Sequence, residues 1–144
     1  MTVVWRICRA PYADLSGEGA RRFGGRWNSP GRAMVYAAGP AALAALEVRV
    51  HLDLPFDLVP ADYVLIGIET ASASVERVAT MPPDPARFGD VWLAEARSAL
   101  LDVPSAIVPE SANVLVNPAH PEAAGLHIVS RRPFGFDRRL WLPS

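Results

Sequence analysis

The sequence predicts a single α+β domain, residues 1–144, with largely antiparallel, mixed sheets and a few helices. The chain has 144 residues, the length of one domain, and 51% of them are hydrophobic, which is enough for a core. Short strand-like runs outnumber helical ones. Few strand–helix–strand units of crossover length occur, which argues against a doubly wound parallel fold.

The N-terminal half predicts two strands, a helix and a third strand. Alternation over residues 3–9 predicts a strand that carries Arg6 on a polar face. Residues 33–38 predict a second, short strand. Gly39-Pro40 then opens the helix "AALAALEVRVHL", because proline is tolerated at the first helical position. Residues 63–70 predict a β-branched, aromatic strand, and "SVERVA" predicts another.

The C-terminal half predicts a loop, a helix and a series of strands. The Pro-rich residues 81–90 predict a loop. Residues 90–101 predict an amphipathic helix with Val91, Ala94 and Leu101 on one face. Four strand-like runs follow, separated by turns: "SAIVP", "NVLVN", "LHIVSRR" and "FDRRLWL".

Composition excludes several classes of protein. The net charge of -1 argues against a general nucleic-acid binder, and no apolar run approaches the length of a membrane span. Arginines interrupt the apolar N-terminus, and Cys8 is a single cysteine, so we expect a cytoplasmic protein without a disulfide framework. All 14 basic residues are arginines, whose planar forks suit phosphate and carboxylate.

The stretch "RFGGRWNSPGRAMVYAA" (residues 22–38) predicts a loop that binds an anion. Its glycines would let a ligand approach the backbone, with Arg26 directed at a negative group. Arg6 and Arg26 together could hold a diphosphate. The alternative is a pair of solvated or salt-bridged arginines.

Glu47 is the candidate catalytic group. Leu43, Leu46 and Val50 form the apolar stripe of the predicted helix, and Glu47 lies at its margin, where a carboxylate is partly desolvated. The alternative is an ordinary helix-flank glutamate that reaches water or pairs with His51. Tyr36, at the end of the second strand, could stack on a flat ring or be a core tyrosine.

The segment "VPSAIVPESANVLVNPAHP" (residues 103–121) contributes polar groups on rigid backbone. Ser105 lies between prolines on a predicted extended strand, which makes its hydroxyl a fixed hydrogen-bond donor. Asn113 begins the β-rich run that follows. The absence of a G-x-S-x-G elbow argues against a serine hydrolase. The three histidines lack metal-ligand spacing, and we expect no metal site.

Together these pieces resemble the RES domain family. The resemblance runs from "VWRICRAPYADLSGEGARRFGGRWNSPG" through "MVYAAGPAALAALEVRVHL" to "VPSAIVPESANVLVNPAHP" and "FDRRL". The family is named for an arginine, a glutamate and a serine, which match Arg26, Glu47 and Ser105. The order "GGRWNSPG…VYAA…ALEV" followed by "VPSA…NVLVNP" is specific to the family.

The resemblance implies a fold, a substrate and a partner. RES proteins are toxins of type II toxin–antitoxin pairs, with a fold similar to ADP-ribosyltransferases of the diphtheria-toxin kind. They consume NAD, and an antitoxin with an Xre-like helix-turn-helix region covers the active site. The resemblance also implies roles for residues of this chain. Glu47, Tyr36 and Arg26 would be catalytic, and NAD would be bound by Arg6, Arg26, Tyr36, Ser105 and Asn113, with Trp27 packed beneath the loop.

These residue types suit cleavage of the nicotinamide–ribose bond. The leaving pyridinium becomes neutral without a general acid, and a carboxylate can stabilise the oxocarbenium character of the ribose. We therefore expect a toxin that transfers ADP-ribose to an acceptor, with a protein as the favoured acceptor. The alternatives are an NAD phosphorylase or glycohydrolase, and a non-catalytic module that binds the antitoxin.

Overall fold

The computed structural model describes residues 2–143, and the seven strands in that range form one sheet. The strands are β1 (Val3–Arg9), β2 (Val35–Ala38), β3 (Tyr63–Glu69), β4 (Val75–Arg77), β5 (Leu100–Pro104), β6 (Ala112–Val116) and β7 (His127–Pro133). The helices are α1 (Glu18–Phe23), α2 (Ala41–His51) and α3 (Pro85–Glu95). The strand order is β4-β5-β6-β2-β1-β3-β7, antiparallel except where β4 pairs with β5. The predicted α+β class is confirmed.

Both faces of the sheet are covered. Strand register places Val4 opposite Ile68, and the core on their face also contains Val35 and Val116. On the other face, Leu43 of α2 packs with strand residues that include Ile7 and Leu65. Beside it, Trp92 of α3 packs on Leu101 and Leu115. Helices α2 and α3 therefore lie on the same face of the sheet.

The helix predicted over residues 90–101 is wrong in position. Helix α3 begins at Pro85, where the Asp84 side chain accepts a hydrogen bond from the Arg87 amide, and ends before Ala96, whose backbone is left-handed (φ 49°). Its start therefore lies inside the predicted loop, and Leu100 and Leu101 belong to β5. The predicted apolar face is also wrong, since Val91 is 43% exposed whereas Trp92 is completely buried.

Two predicted strands are not strands in the structure. "SAIVP" forms the loop between β5 and β6, because strand pairing stops at Pro104 opposite Ala112. "FDRRLWL" contains a 3-10 turn at Arg138–Leu140, which the Asp137 side chain caps by accepting from the Arg139 amide. The other predicted strands correspond to β1 to β4, β6 and β7, and helix α1 was not predicted.

The sheet splits between β1 and β2. Within the described chain, β1 pairs with β3 at seven positions, but its register with β2 contains one pair, Trp5 opposite Ala38. Beyond that pair the strands diverge, and Arg6 Nη1 donates to the carbonyl oxygen of Tyr36 at 3.1 Å. The predicted polar face of β1 is wrong, since Val4 and Cys8, on the same face as Arg6, are buried. The positively charged side chain of Arg6 therefore lies between buried neighbours, at the point where β1 and β2 separate.

Two further observations concern residues 2–143. No helix among them is both long enough and apolar enough to cross a membrane. No three of their His, Cys, Asp or Glu side chains gather as potential metal ligands.

Candidate active site

A cavity of about 520 Å³ adjoins the split in the sheet. Its lining combines residues of β1, the loop before β2, β2, α2 and β6, and it includes five predicted site residues: Arg6, Arg26, Tyr36, Glu47 and Asn113. A volume of this size is typical of small-molecule sites. The structure thus brings together residues that lie more than a hundred positions apart in the sequence.

Neutral donors hold the Glu47 carboxylate. Its Oε1 accepts from Ser105 Oγ at 2.7 Å and from Asn113 Nδ2 at 3.0 Å. Its Oε2 accepts no hydrogen bond from residues 2–143. The predicted alternative, pairing with the His51 side chain, is not found, because His51 Nδ1 contacts the backbone oxygen of Glu47. The negative charge therefore faces the cavity without a counterion from its helix.

Glu47 owes its position to the way α2 packs. Leu43 and Ala44 are buried against the sheet, and Glu47, one turn after Leu43, is half-buried at the margin of that face. The predicted stripe is wrong at Val50, which is 56% exposed. The predicted marginal position of Glu47 is nevertheless what the structure shows.

Ser105 contacts Glu47 and does not line the cavity. It directly follows β5 and is buried. Its hydroxyl accepts from the backbone amides of Ile107 and Val108, both at 3.1 Å, while it donates to Glu47. The two amides direct the hydroxyl proton towards the carboxylate. This geometry favours a role for Ser105 in positioning Glu47 instead of direct contact with a ligand.

Two buried polar atoms at the cavity lack partners. Among residues 2–143, Arg6 Nε and Asn113 Oδ1 make no hydrogen bond. Buried polar groups are nearly always paired in folded proteins, so such atoms point to a ligand. One is a cationic donor and the other is an amide acceptor. A ligand with an anionic group and a hydroxyl or amide donor would satisfy both.

The loop before β2 presents Arg26 at the cavity. Gly25 and Asn28 face each other in an isolated β-bridge, so Arg26 and Trp27 occupy the tip of a tight turn. Trp27 is 2% exposed and packs edge-on against Phe88, as its predicted position beneath the loop requires. Arg26 is exposed and forms no ion pair within the described chain. Its charge is therefore available to a ligand.

Asn28 and Tyr36 hold this turn in place. The Tyr36 hydroxyl donates to Asn28 Oδ1 at 2.6 Å and accepts from the Trp27 amide at 3.0 Å. Burial raises the pKa of Tyr36 to about 12, so the hydroxyl stays protonated at neutral pH. Asn28 Nδ2 donates to the backbone oxygens of Ala20 and Arg32, both at 2.9 Å. The turn is therefore anchored to α1 and β2 at once.

The predicted reason for Gly25 requires correction. A Cβ on Gly25 would lie 2.5 Å from the Tyr36 hydroxyl oxygen and 2.8 Å from Cζ. The missing side chain therefore makes room for Tyr36, and not only for an approaching ligand. Gly24 is needed for a second reason, since its φ of 72° is strained for other residues.

We expect Tyr36→Phe to lower the free energy of unfolding by about 1–3 kcal/mol, because Asn28 Oδ1 and the Trp27 amide would lose their partner. Chemical denaturation measures the change. Tyr12→Phe is the matched control, since the Tyr12 hydroxyl makes no hydrogen bond within residues 2–143. Equal stabilities of the two variants would contradict the anchoring role of Tyr36.

Sequence reasoning missed three residues of this region. Asn28 is a buried hydrogen-bonding centre whose partners come from separate segments. Asp90, on α3, accepts from the Ser29 amide at 2.9 Å and from the Ser29 hydroxyl at 2.6 Å. Phe23 lines the cavity although it is 74% exposed. An aromatic residue directly before "GG" was the one signal available for Phe23.

The fold and the site together define a class of protein. It is a small α+β domain with a cavity beside the split in its sheet, and a carboxylate and two arginines line that cavity. A chain of the M. tuberculosis MbcT–MbcA toxin–antitoxin complex shares this fold, with a TM-score of 0.77 and 22% sequence identity. The match covers 93% of this chain and 84% of that one.

The chain belongs to the RES domain family, whose family model matches residues 3–137. It is 42% identical over 157 aligned positions to the Prs ADP-ribosylating toxin of Sphingobium sp. (strain YBL2), covering 96% of each chain. It is 40% identical over 134 positions to Toxin Res of Pseudomonas putida (strain KT2440), covering 88% of this chain and 91% of that one. The predicted family is therefore confirmed.

Proposed function

We propose that this chain is the toxin of a toxin–antitoxin pair, and that it cleaves the nicotinamide–ribose bond of NAD and transfers ADP-ribose to a protein. One observation carries the proposal. The Glu47 carboxylate, held at Oε1 by two neutral donors, shares a cavity with two arginines whose charges are not neutralised there.

The residues present fit NAD as a substrate. Arg6 and Arg26 would bind the diphosphate, and the unpaired Arg6 Nε supplies a donor already in place. The unpaired Asn113 Oδ1 would accept from a ribose hydroxyl or from the nicotinamide amide. Tyr36, which lines the same cavity, would support the nicotinamide end.

The carboxylate supplies the chemical step. As the C1′–N bond of the nicotinamide ribose breaks, its electron pair passes to the ring nitrogen and positive charge develops on the ribose. The Oε2 side of Glu47 would stabilise that charge, while Ser105 and Asn113 keep Oε1 fixed. A preorganised charge in a partly desolvated site is worth far more than one in water.

The similarity to named toxins supports the biological role. One relative is named an ADP-ribosylating toxin, and the structural relative belongs to a toxin–antitoxin complex. We propose by analogy that an antitoxin with an Xre-like helix-turn-helix region covers the cavity and restrains the toxin.

Incubation with NAD labelled in its adenylate half tests the proposal and separates the acceptors. Label on protein indicates transfer, ADP-ribose-1″-phosphate indicates phosphorolysis, and free ADP-ribose indicates hydrolysis. Reactions with and without phosphate, and with added bacterial extract, supply each acceptor in turn. Absence of all three products, with a folded protein, would contradict the proposed function.

We expect Phe23→Ala to raise KM for NAD about tenfold without changing kcat, because one stacked base is worth about 1–3 kcal/mol. An exposed ring at the rim of the cavity is well placed to stack on a planar base. Phe23→Tyr keeps the ring and is expected to behave like the unaltered protein. An unchanged KM in the alanine variant would remove Phe23 from the binding site.

A further inference from the structure

The cavity is lined by one imidazole, His51, that the proposed function leaves unused. His51 is the last residue of α2, one turn after Glu47, and it lines the same cavity. Its side chain is exposed, whereas Glu47 is half-buried. His51 therefore lies on the solvent-exposed side of the cavity, one helical turn after the residue that carries the carboxylate.

One hydrogen bond fixes the protonation of the neutral imidazole. His51 Nδ1 lies 2.7 Å from the backbone oxygen of Glu47. A carbonyl oxygen only accepts, so Nδ1 carries the proton in this contact. In the neutral ring, Nε2 is then the nitrogen with a free lone pair. The same contact ties the imidazole to the residue that carries the carboxylate.

The other charged groups of the cavity are poor candidates for a general base, because each either cannot accept a proton or is needed elsewhere in the reaction. Arg6 on β1 and Arg26 on the loop carry guanidinium groups, which donate hydrogen bonds but offer no acceptor site for a proton. Glu47 Oε1 already accepts two hydrogen bonds, and the remaining charge of the carboxylate is needed to stabilise the ribose cation. A Glu47 that took up a proton would lose that charge.

The remaining ionisable side chains of the cavity are one thiol and three phenols. They are Cys8 on β1, Tyr12 after it, Tyr36 on β2 and Tyr63 on β3. Burial raises the pKa of Cys8 and of Tyr63, and that of Tyr36 to about 12. Imidazole is the side chain that exchanges a proton most readily between pH 5 and 8.

We propose that His51 is the general base that activates the ADP-ribose acceptor, an inference that rests on the proposed function. The acceptor oxygen forms a bond to C1′ of the nicotinamide ribose as the bond from C1′ to nicotinamide breaks. The electron pair of the broken bond goes to nicotinamide. The acceptor proton passes to His51 Nε2 and then to solvent. The overall products are the ADP-ribosylated acceptor, neutral nicotinamide and one proton.

His51→Asn tests the proposal, with nicotinamide release from NAD as the readout. The asparagine amide can still donate near the position of Nδ1, so the contact with the Glu47 carbonyl is kept while the base is lost. Water in phosphate-free buffer is the acceptor probe that must lose a proton, and inorganic phosphate, whose dianion attacks through an unprotonated oxygen, is the comparison acceptor that needs no base. His127→Asn, on the exposed strand β7 and outside the cavity, is the matched control.

With water as the acceptor, we expect His51→Asn to release nicotinamide about 10²-fold more slowly, with KM for NAD unchanged. With inorganic phosphate the rate is expected to change much less, and added imidazole is expected to restore part of the hydrolysis rate of the variant. An unchanged hydrolysis rate would overturn the inference. An equal loss with both acceptors, or a loss that imidazole does not restore, would overturn it as well.

The two proposals can fail separately. If the unaltered protein releases no nicotinamide with any acceptor, the proposed function fails. If it hydrolyses NAD and His51→Asn hydrolyses NAD equally fast, only the role of His51 fails.

Discussion

Replacement of Glu47 by glutamine is expected to lower NAD cleavage by about 10³-fold while the fold persists. The glutamine oxygen can accept the hydrogen bonds that Ser105 and Asn113 donate to Oε1. The other carboxylate position becomes an amide without negative charge, so the ribose cation loses its stabilising group. The loss should therefore appear in kcat, with little change in the free energy of unfolding.

Nicotinamide release and growth arrest on expression in bacteria measure this effect in two ways. Glu110→Gln is the matched control, since Glu110 is exposed and lies outside the cavity. Growth arrest that persists in a Glu47→Gln strain would show that catalysis is not the mechanism. The non-catalytic antitoxin-binding module would then be the better description of the chain.

Arg6→Ala is expected to lower kcat/KM for NAD by about 10³-fold. Two charge-assisted hydrogen bonds to the diphosphate, at about 2 kcal/mol each, account for a loss of that size. Arg6→Lys keeps the charge but loses Nε and the planar fork, so we expect an intermediate loss. Steady-state kinetics over a range of NAD concentrations distinguish the two variants.

The Arg6 variants also need a check on folding, because Arg6 Nη1 donates to the Tyr36 carbonyl at the split in the sheet. Circular dichroism and the midpoint of thermal unfolding show whether each variant is folded. Arg87→Ala, an exposed position on α3 outside the cavity, is the control for loss of a positive charge. If a folded Arg6→Ala variant cleaves NAD at the normal efficiency, the diphosphate is bound elsewhere.

The pattern of apolar and polar residues along the chain predicted most strands of the sheet, but it placed helix α3 at the wrong residues. The buried strand β3 is recognisable from its β-branched and apolar residues, and α2 from its run of alanine and leucine. The error at α3 arose because residues 90–101 combine the end of a helix with the start of β5, and both are apolar. The Asp84-Pro85 pair was the true start signal, and it lay inside a segment that reads as a loop.

The charged residues of the candidate site could be predicted from the sequence. The cavity, and the residue that holds its arginine loop in place, could not. Glu47 is marked by its helical position, and Arg26 by its glycine-rich loop. The cavity itself depends on the divergence of β1 from β2, a tertiary feature without a local signature. Asn28 could not be recognised either, since its hydrogen-bond partners, Ala20, Arg32 and Tyr36, meet only after folding.

A crystal structure of the Glu47→Gln variant grown with NAD tests the central claim most directly, because the variant is expected to bind the dinucleotide without consuming it. The account predicts the diphosphate between Arg6 and Arg26, and C1′ of the nicotinamide ribose beside residue 47. Dinucleotide bound outside this cavity, or bound in it with its diphosphate away from both arginines, would contradict the account.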